Sequence, residues 1–490
     1  MRRALKGKIK VHGTLVAALP LSVGGMGAGE QVDLDLAVDG AGDLYVPGTS
    51  LAGPMRAWLA SRADSDDVDK LFGFIKEQND NVKEKSDDGQ ASALFVEDGQ
   101  ITTCARERRH GIAIEETSGT TKKHFFYTRA ILPRGTCVSL DLEMDLTPET
   151  DANLKALAAI LKALKAGEIR FGACKTRGFG ELKLEKDFEV DIYDFENPKD
   201  LEAWLNGERI GTTETEFFKK YGEPAEPNKG GERCVIEIKW RPASSLMVKS
   251  GRDGFEADML PLVSGTENGR LVPVIPGSSI KGALRAQAYK ILRTLFAGEE
   301  PAVEDKPEPG SYFNIAREIF GTTESAGRIA VDDVYCEASV SNEEWIEENP
   351  KALDQFSVHR QHVAIDRFTG GASDSALYSA RPVKNEIAQK PIRWGPIRLI
   401  LDLAKRCENE LNDLEQNQIR ALVTLLLRDL KEGMIPIGFG TRRGLGDVEI
   451  CTDTENIFPD KDGLRKAWAK FVDSSGTFKD RAPKNKEEKK

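Results

Sequence analysis

The chain has no uninterrupted apolar run long enough to span a membrane. Its start, Met1-Arg-Arg-Ala-Leu-Lys-Gly-Lys8, leads into alternating polar and apolar residues rather than the apolar centre of a secretory signal. Paired cysteines are missing. The seven present (Cys104, Cys137, Cys174, Cys234, Cys336, Cys407 and Cys451) are scattered, odd in number and never spaced Cys-x-x-Cys. That pattern argues against a disulfide framework or a structural zinc site, and reduced, mostly buried thiols are expected. Net positive charge is missing too. Lys and Arg number 69 against 80 Asp and Glu, a balance of -11 that argues against a simple nucleic-acid coat protein. No Walker A loop, Gly-x-Ser-x-Gly elbow or His-Glu-x-x-His occurs. The run Gly24-Gly-Met-Gly-Ala-Gly29 is followed by no helical pattern and reads as a flexible loop.

At 490 residues the chain exceeds what one core usually covers, so two or more domains are expected. With 40% hydrophobic and 30% charged residues it has the composition of a soluble globular protein, and a cytoplasmic location is the expectation. The informative feature is repetition. Tyr45-Val-Pro-Gly-Thr-Ser-Leu-Ala-Gly53 near the start returns as Val274-Ile-Pro-Gly-Ser-Ser-Ile-Lys-Gly282. Each copy is followed by a glycine-rich basic loop, Lys175-Thr-Arg-Gly-Phe-Gly180 and Thr441-Arg-Arg-Gly-Leu-Gly446. Two signatures repeated in order mean a tandem duplication.

The parallels extend along both halves. Residues 7–23 and 234–248 alternate as strands, with Ile9 laid on Ile236 and Gly24 on Gly251. The Pro-Gly-Thr/Ser-Ser motifs open helices in which Ser serves as N-cap. Then come Leu71-Phe-Gly73 and Ile319-Phe-Gly321, a strand ending in Asp98 or Asp333, a polar basic and aromatic stretch, a strand near 136–142 or 397–402, and amphipathic helices over 151–165 and 412–431. Strand, helix, strand, strand, helix, strand is the ferredoxin-like plan shared with RNA-recognition modules, and the fold class is α+β. Residues 1–187 form the first domain, 188–230 a linker, 231–455 the second domain, and 456–490 an extension ending in a basic tail read as disordered. The acid-rich stretch 61–100, with Asp64, Asp66, Asp67, Asp69, Asp87 and Asp88, reads as an exposed, partly mobile insertion.

Each Pro-Gly helix start offers backbone N–H groups for a phosphate, at Ser50 and Ser279, with Arg56 or Lys281 and Arg285 one turn on. The glycine loops combine backbone N–H groups with Lys175, Arg177, Arg442 and Arg443, which suits phosphates held without reading sequence.

Together the Pro-Gly-Thr/Ser-Ser helix start, the Phe-Gly segment, Ala364-Ile-Asp-Arg-Phe-Thr-Gly-Gly371 and the terminal glycine loop resemble the RAMP superfamily. More narrowly they resemble the backbone ("Cas seven") subunits of type III CRISPR effector complexes, in a fused, type III-D-like form. The resemblance implies two tandem ferredoxin-like, RRM-like domains, each with a protruding β-hairpin thumb and loop insertions. It implies binding of guide RNA (crRNA) and of a target RNA whose base is flipped out about every sixth nucleotide. Its implied partners are the large signalling subunit, the small subunit and other backbone subunits, without a membrane. An aspartate after the first strand supports cutting, and the family pattern places it at Asp33 in Val32–Asp39 and at Asp258 in Ala257–Ser264. The second segment departs from that pattern by carrying Ser264 in place of the later Asp. Asp35 and Asp253 are the local rivals.

The thumbs fall in 106–134, with Arg108, Arg109, Phe125 and Phe126, and in 358–393, with His359, Arg360, Arg367 and Phe368. Basic groups interleaved with aromatics suit backbone contact and wedging between bases; aromatics packed on a neighbouring protein are the structural alternative. His359 and His362 lie in an extended stretch without Cys or carboxylate partners, so zinc is not expected there. For the cutting step the resemblance leads to Asp33 and Asp258 as ligands of Mg²⁺ or Mn²⁺, since an ordinary Asp is a poor base and a good hard-cation ligand. RNA supplies its own 2′-hydroxyl nucleophile, so products with 2′,3′-cyclic phosphate and 5′-hydroxyl ends are expected. An endonuclease, a non-catalytic guide-binding scaffold and a guide-processing endoribonuclease are the three functional readings.

Overall fold

A computed structural model describes residues 5–25, 32–75, 89–102, 106–115, 120–147, 151–212, 214–222, 233–252, 254–266, 268–296, 312–374, 376–403, 411–454, 457–474 and 476–478. Asp87, Asp88, Asp253, Gly27, Gly29, Cys104, Cys407 and the tail 479–490 lie outside them. The chain forms two compact units. The first comprises 1–108, 129–175 and 179–230; the second comprises 109–128, 176–178 and 231–490.

In the first unit, β1 (Gly7–Ala17) alternates as read, burying Ile9, Val11 and Leu15. Next come α1 (Gly48–Ala60), α2 (Ser65–Phe72) and β2 (Leu94–Val96). The strands β3 (Glu107–Ile114) and β4 (Thr121–Ile131) pair as a hairpin whose residues 109–128 belong to the second unit; along the chain it precedes β5 (Cys137–Leu146), α3 (Asp151–Lys165) and β6 (Leu182–Leu184) of the first. The sheet runs β6-β1-β5-β2 with every pairing antiparallel: Leu15 opposite Leu184, Val11 opposite Leu142, Leu94 opposite Met144. Taking its four strands in chain order, their spatial order is 4-1-3-2, the ferredoxin-like arrangement. Leu157, Ile160, Leu161 and Leu164 make one apolar face of α3, and with Leu51 and Met55 of α1 they cover the sheet.

Residues 188–222 are more than a linker. β7 (Glu189–Asp194) pairs with β1, Ile192 opposite Ile9, followed by α4 (Pro198–Asn206) and α5 (Glu214–Tyr221), whose Phe217 enters the same core. Acidic residues 64–69 likewise belong to structure, since α2 buries Val68 and Leu71.

The second unit repeats the plan: β8 (Arg233–Ile238), β9 (Trp240–Pro242), α6 (Gly277–Leu295), α7 (Asn314–Phe320), β10 (Ile329–Val331), β11 (Arg360–His362), β12 (Tyr378–Ala380), β13 (Ile397–Asp402), α8 (Asp413–Lys431), β14 (Val448–Ile450) and α9 (Lys461–Asp473). Sheet β8-β13-β10 places Ile236 opposite Leu399 and Ile329 opposite Leu401, and β9 pairs with β14. α8 starts at a capping box on Asn412 and buries Ile419, Leu422, Leu426 and Leu430. The stretch after 455 carries α9, whose Phe471 is buried in this core.

The registers correct one sequence reading. Glu97 N–H bonds Asp141 O as Asp332 N–H bonds Arg398 O, which aligns Leu142 with Leu399. Their partners are Val11 and Ile236, so Ile236 matches Val11 rather than Ile9. A slip of two leaves every side chain on its own face, so alternation alone does not detect it.

The thiols are less hidden than composition implied. Among the described residues Cys137, Cys174 and Cys234 are half-buried, Cys451 is exposed and Cys336 is buried. Burial pushes the Cys336 thiol up to about 12, which keeps it protonated and inert at pH 8. Iodoacetamide at pH 8 is therefore expected to label Cys451 in the folded protein and to reach Cys336 only after denaturation, as read by peptide mass spectrometry.

Candidate nucleic-acid interface

Both aspartates singled out from sequence occupy equivalent places. Asp33 is exposed in a bend, and the next residue, Leu34, pairs in parallel with Arg129 at the end of β4; Ala130 N–H donates to Leu34 O at 2.9 Å. Asp258 is exposed, and the next residue, Met259, pairs in parallel with Ala380 at the end of β12; Arg381 N–H donates to Met259 O at 2.9 Å. Each Asp therefore sits beside the root of a hairpin.

Asp258 is held by a residue that no motif marked. Ser379 donates from its backbone N–H at 2.7 Å and from Oγ at 2.9 Å, both to Oδ2, and Asp258 N–H donates to Ser379 Oγ at 3.1 Å. The backbone bond first, then the hydroxyl, holds the carboxyl below its ordinary range. Oδ1 takes no part in this clamp. Thr128, the residue before Arg129, supplies a hydroxyl at the matching position of the first copy. Ser379→Ala removes one of the two donors, so the Asp258 carboxyl is expected to titrate at higher pH. A depressed carboxyl stays ionised above its folded value and is neutralised only as pH falls through it. The acid limb of any cut dependent on Asp258 should therefore move up in Ser379→Ala and return with Ser379→Thr, as measured by a pH–rate profile.

The hairpins are present as pairs of antiparallel strands, β3 with β4 and β11 with β12. On the first, Phe125 and Phe126 are exposed; Phe126 stacks on His110 with centroids 5.3 Å apart and Lys122 lies over Phe125. Arg108 is exposed. Arg109 is not: it is buried and faces Asp333 at 3.6 Å within the second unit. On the second hairpin His359 is exposed, Arg360 donates to Ser245 Oγ at 3.0 Å, and His362 stacks on Tyr378. Asp366 Oδ1 accepts the N–H groups of Phe368 and Thr369, both at 2.8 Å, building a turn that leaves Arg367 exposed and Phe368 fully so.

The glycine loops match at two pairs of glycines. Gly172 and Gly438 press on the carbonyls of Ser22 and Met247, and Gly180 and Gly446 on those of Phe171 and Ile437. All four have positive φ. Arg177 and Arg443 are exposed, and each donates to a tyrosine hydroxyl of a hairpin strand, Tyr127 at 3.3 Å and Tyr378. Lys175 and Arg442 are exposed as well. This repeated Arg–Tyr contact ties each loop to a hairpin, and it puts cationic groups and aromatic rings side by side.

The helix starts differ from the sequence reading. Neither Ser50 nor Ser279 caps; each lies in the first turn, its N–H bonded to Pro47 O or Pro276 O. The first helical N–H is taken by a distant carboxylate: Gly48 by Asp98 at 2.7 Å, Gly277 by Asp333 at 2.8 Å. Arg56 pairs with Asp69 at 3.0 Å, and Arg285 folds over Tyr289. Lys281 turns inward, buried, with Nζ donating to Ile329 O at 2.9 Å. Asp98, Asp333 and Lys281 brace the helix starts against the following strand, Arg56 and Arg285 are engaged with Asp69 and Tyr289, and these positions do not form an open anion cradle.

Among the described residues, no three or more His, Cys, Asp or Glu side chains come together as a metal cage. A lone outward carboxylate fits Mg²⁺ or Mn²⁺ in one way, as a cation shared with substrate phosphates and water. Among the described residues no helix is long and apolar enough to cross a membrane.

A duplicated ferredoxin-like fold with paired hairpins and glycine loops defines a class of tandem RNA-recognition-type proteins. The RAMP superfamily model matches residues 17–183 and 245–449, more than half of the chain, one match per copy, and the protein belongs to that superfamily. Proteins of this superfamily bind RNA and work in multi-subunit complexes, and the superfamily is associated with CRISPR type III complexes. No curated protein sequence matches the chain.

Proposed function

We propose that this protein is a double backbone subunit of a type III CRISPR effector complex, which grips guide RNA with both units and supports divalent-cation-dependent cutting of the paired target RNA. The observation that carries this reading is the repeated placement of an exposed Asp, at Asp33 and Asp258, one residue before the residue that bridges to a hairpin root. Exposed aromatics on the hairpins, Phe125, Phe126 and Phe368, can wedge between bases. Displacing a base turns the sugar–phosphate backbone, and alignment of the 2′-oxygen with phosphorus and the leaving 5′-oxygen lowers the barrier through positioning. A bound Mg²⁺ or Mn²⁺ supplies charge stabilisation at the phosphate. Asp258, kept ionised by Ser379, and Asp33 are the residues that would hold it. Arg177, Arg442 and Arg443 serve backbone phosphates.

The test uses the assembled complex with end-labelled target RNA. Cuts about six nucleotides apart, with 2′,3′-cyclic phosphate ends and abolished by chelator, are expected. Cuts that persist in the Asp33→Ala, Asp258→Ala double variant would assign this chain the scaffold role. Cutting of guide precursor by the isolated chain in chelator would identify it instead as a processing ribonuclease.

A further inference from the structure

The loop that leads into Asp258 buries little of itself. Gly254 is half-buried, Phe255 is 95% exposed and Glu256 is exposed. A carboxyl group from elsewhere in the second unit holds this loop by its backbone. Glu348 is fully buried; its Oε1 accepts the N–H of Phe255 at 2.9 Å and its Oε2 accepts that of Glu256 at 2.8 Å. A Cβ at Gly254 would meet Glu348 Oε2 at 2.7 Å, so the loop lies close against the carboxyl. Arg252 approaches the same group at 3.7 Å and donates to Ile346 O at 3.0 Å. Glu348 itself has φ 51°, in the left-handed region that favours glycine. Such strain persists only where the surroundings enforce it, and it gathers at functional sites.

Glu348 stands in a segment that the first copy does not carry at this place. Between Asp98 and β3 the first copy has residues 99–106; between Asp333 and β11 the second has residues 334–359. The longer segment forms two short helices, Asn342–Ile346 behind a capping box on Ser341, and Pro350–Leu353. Its Trp345, Leu353 and Phe356 make a small core with Ala257, Leu260 and Val383. Ala257 and Leu260 are thus buried on either side of Asp258, while Ser379 holds the Asp258 carboxyl. Asp258 is the exposed member of a stretch anchored before and after it.

We infer that Glu348 is a positioning residue of the Asp258 site: by fixing the backbone at 255–256 it sets where Asp258 meets a divalent cation and the target phosphate. Its burial keeps it from the reacting atoms, and it acts through the loop. A functional group keeps its geometry only when the groups behind it are themselves locked. The inference rests on the proposed cutting role of Asp258.

Glu348→Gly tests it. Glycine is at ease at φ 51°, and the freed N–H groups lie in an exposed loop where water can take them. The melting temperature is therefore expected to stay near that of the wild type. Glu348→Gln, which keeps one acceptor oxygen, is the second variant and should fall between the two. Hydrogen–deuterium exchange on the full chain without RNA should show faster exchange at residues 255 and 256. In the assembled complex, the cuts that Asp258→Ala removes should slow by roughly 10–100-fold in Glu348→Gly, the scale on which loss of a supporting group lowers metal affinity or activity. The Mg²⁺ concentration for half-maximal rate should rise for those cuts, while the cuts that Asp33→Ala removes keep the wild-type rate. Unchanged exchange at 255–256 overturns the inference, and so does an equal loss of both sets of cuts, which would mark a folding role only. Asp258→Ala run alongside separates the two failures. Normal cutting in Asp258→Ala defeats the nuclease reading and the positioning role together. Lost cuts in Asp258→Ala with wild-type cuts in Glu348→Gly defeat the positioning role alone.

Discussion

In the assembled complex, Asp33→Ala is expected to lower cutting at one member of each pair of sites by roughly 10²–10³-fold, and Asp258→Ala to do so at the other, with guide binding unchanged. The scale is that of removing one preorganised group that acts on charge developing in the transition state. Guide binding should hold because both carboxylates are exposed, so neither loss leaves a buried group unsatisfied. Mapping labelled target fragments separates the two sites in a single lane. If each single variant lost all cuts, the two sites would be one cooperative centre. If the double variant retained every cut, the chemistry would belong to another subunit. The clamp from Ser379 fixes the Asp258 carboxylate beside its hairpin.

Gly446→Ala is expected to destabilise the second unit by about 3 kcal/mol, the upper end of local backbone strain, lowering its melting temperature by about 6–12 °C. Two effects combine. The residue has φ 86°, where a side chain is strained, and its Cβ would strike Ile437 O, a backbone atom that cannot swing aside. Gly444→Ala separates these effects. It also has positive φ, 76°, but open space around it, so only the conformational part applies, about 1 kcal/mol. Calorimetry on both variants decides whether the loop is set by close packing or by backbone freedom alone. Equal shifts would show that packing on Ile437 contributes nothing.

The duplicated order was legible because it rests on local signals: alternation in β1, Pro-Gly turns before α1 and α6, and positive-φ glycines that no other residue replaces at equal cost. The hairpins were legible for the same reason, as basic and aromatic clusters between strands. The places of Asp33 and Asp258 came from the family pattern, and the paired bridges agree in making them equivalent. What sequence could not supply is where long side chains end. Arg109 and Lys281 carry the same charge as exposed Arg108 and Arg442, yet both turn inward, because a carboxylate or a carbonyl some tens of residues or more away waits there. Asp98 and Asp333 were visible as repeated acids, but their partners, Gly48 and Gly277, lie across the fold. Ser379 belongs to no motif at all. Residues 189–194 look like linker because a strand that joins an existing edge needs only a short alternating run.

The carboxylates at the two helix starts bear on how this acidic protein, with its balance of -11, can meet a polyanion. A helix start ordinarily draws phosphate, and here both are neutralised from within the chain. Under the proposed function, attraction among the described residues would then fall to the hairpins and the glycine loops. Under that function, an approaching strand would be steered before any contact forms, toward Arg177, Arg442 and Arg443, with no second place to settle at residues 48–50 or 277–279.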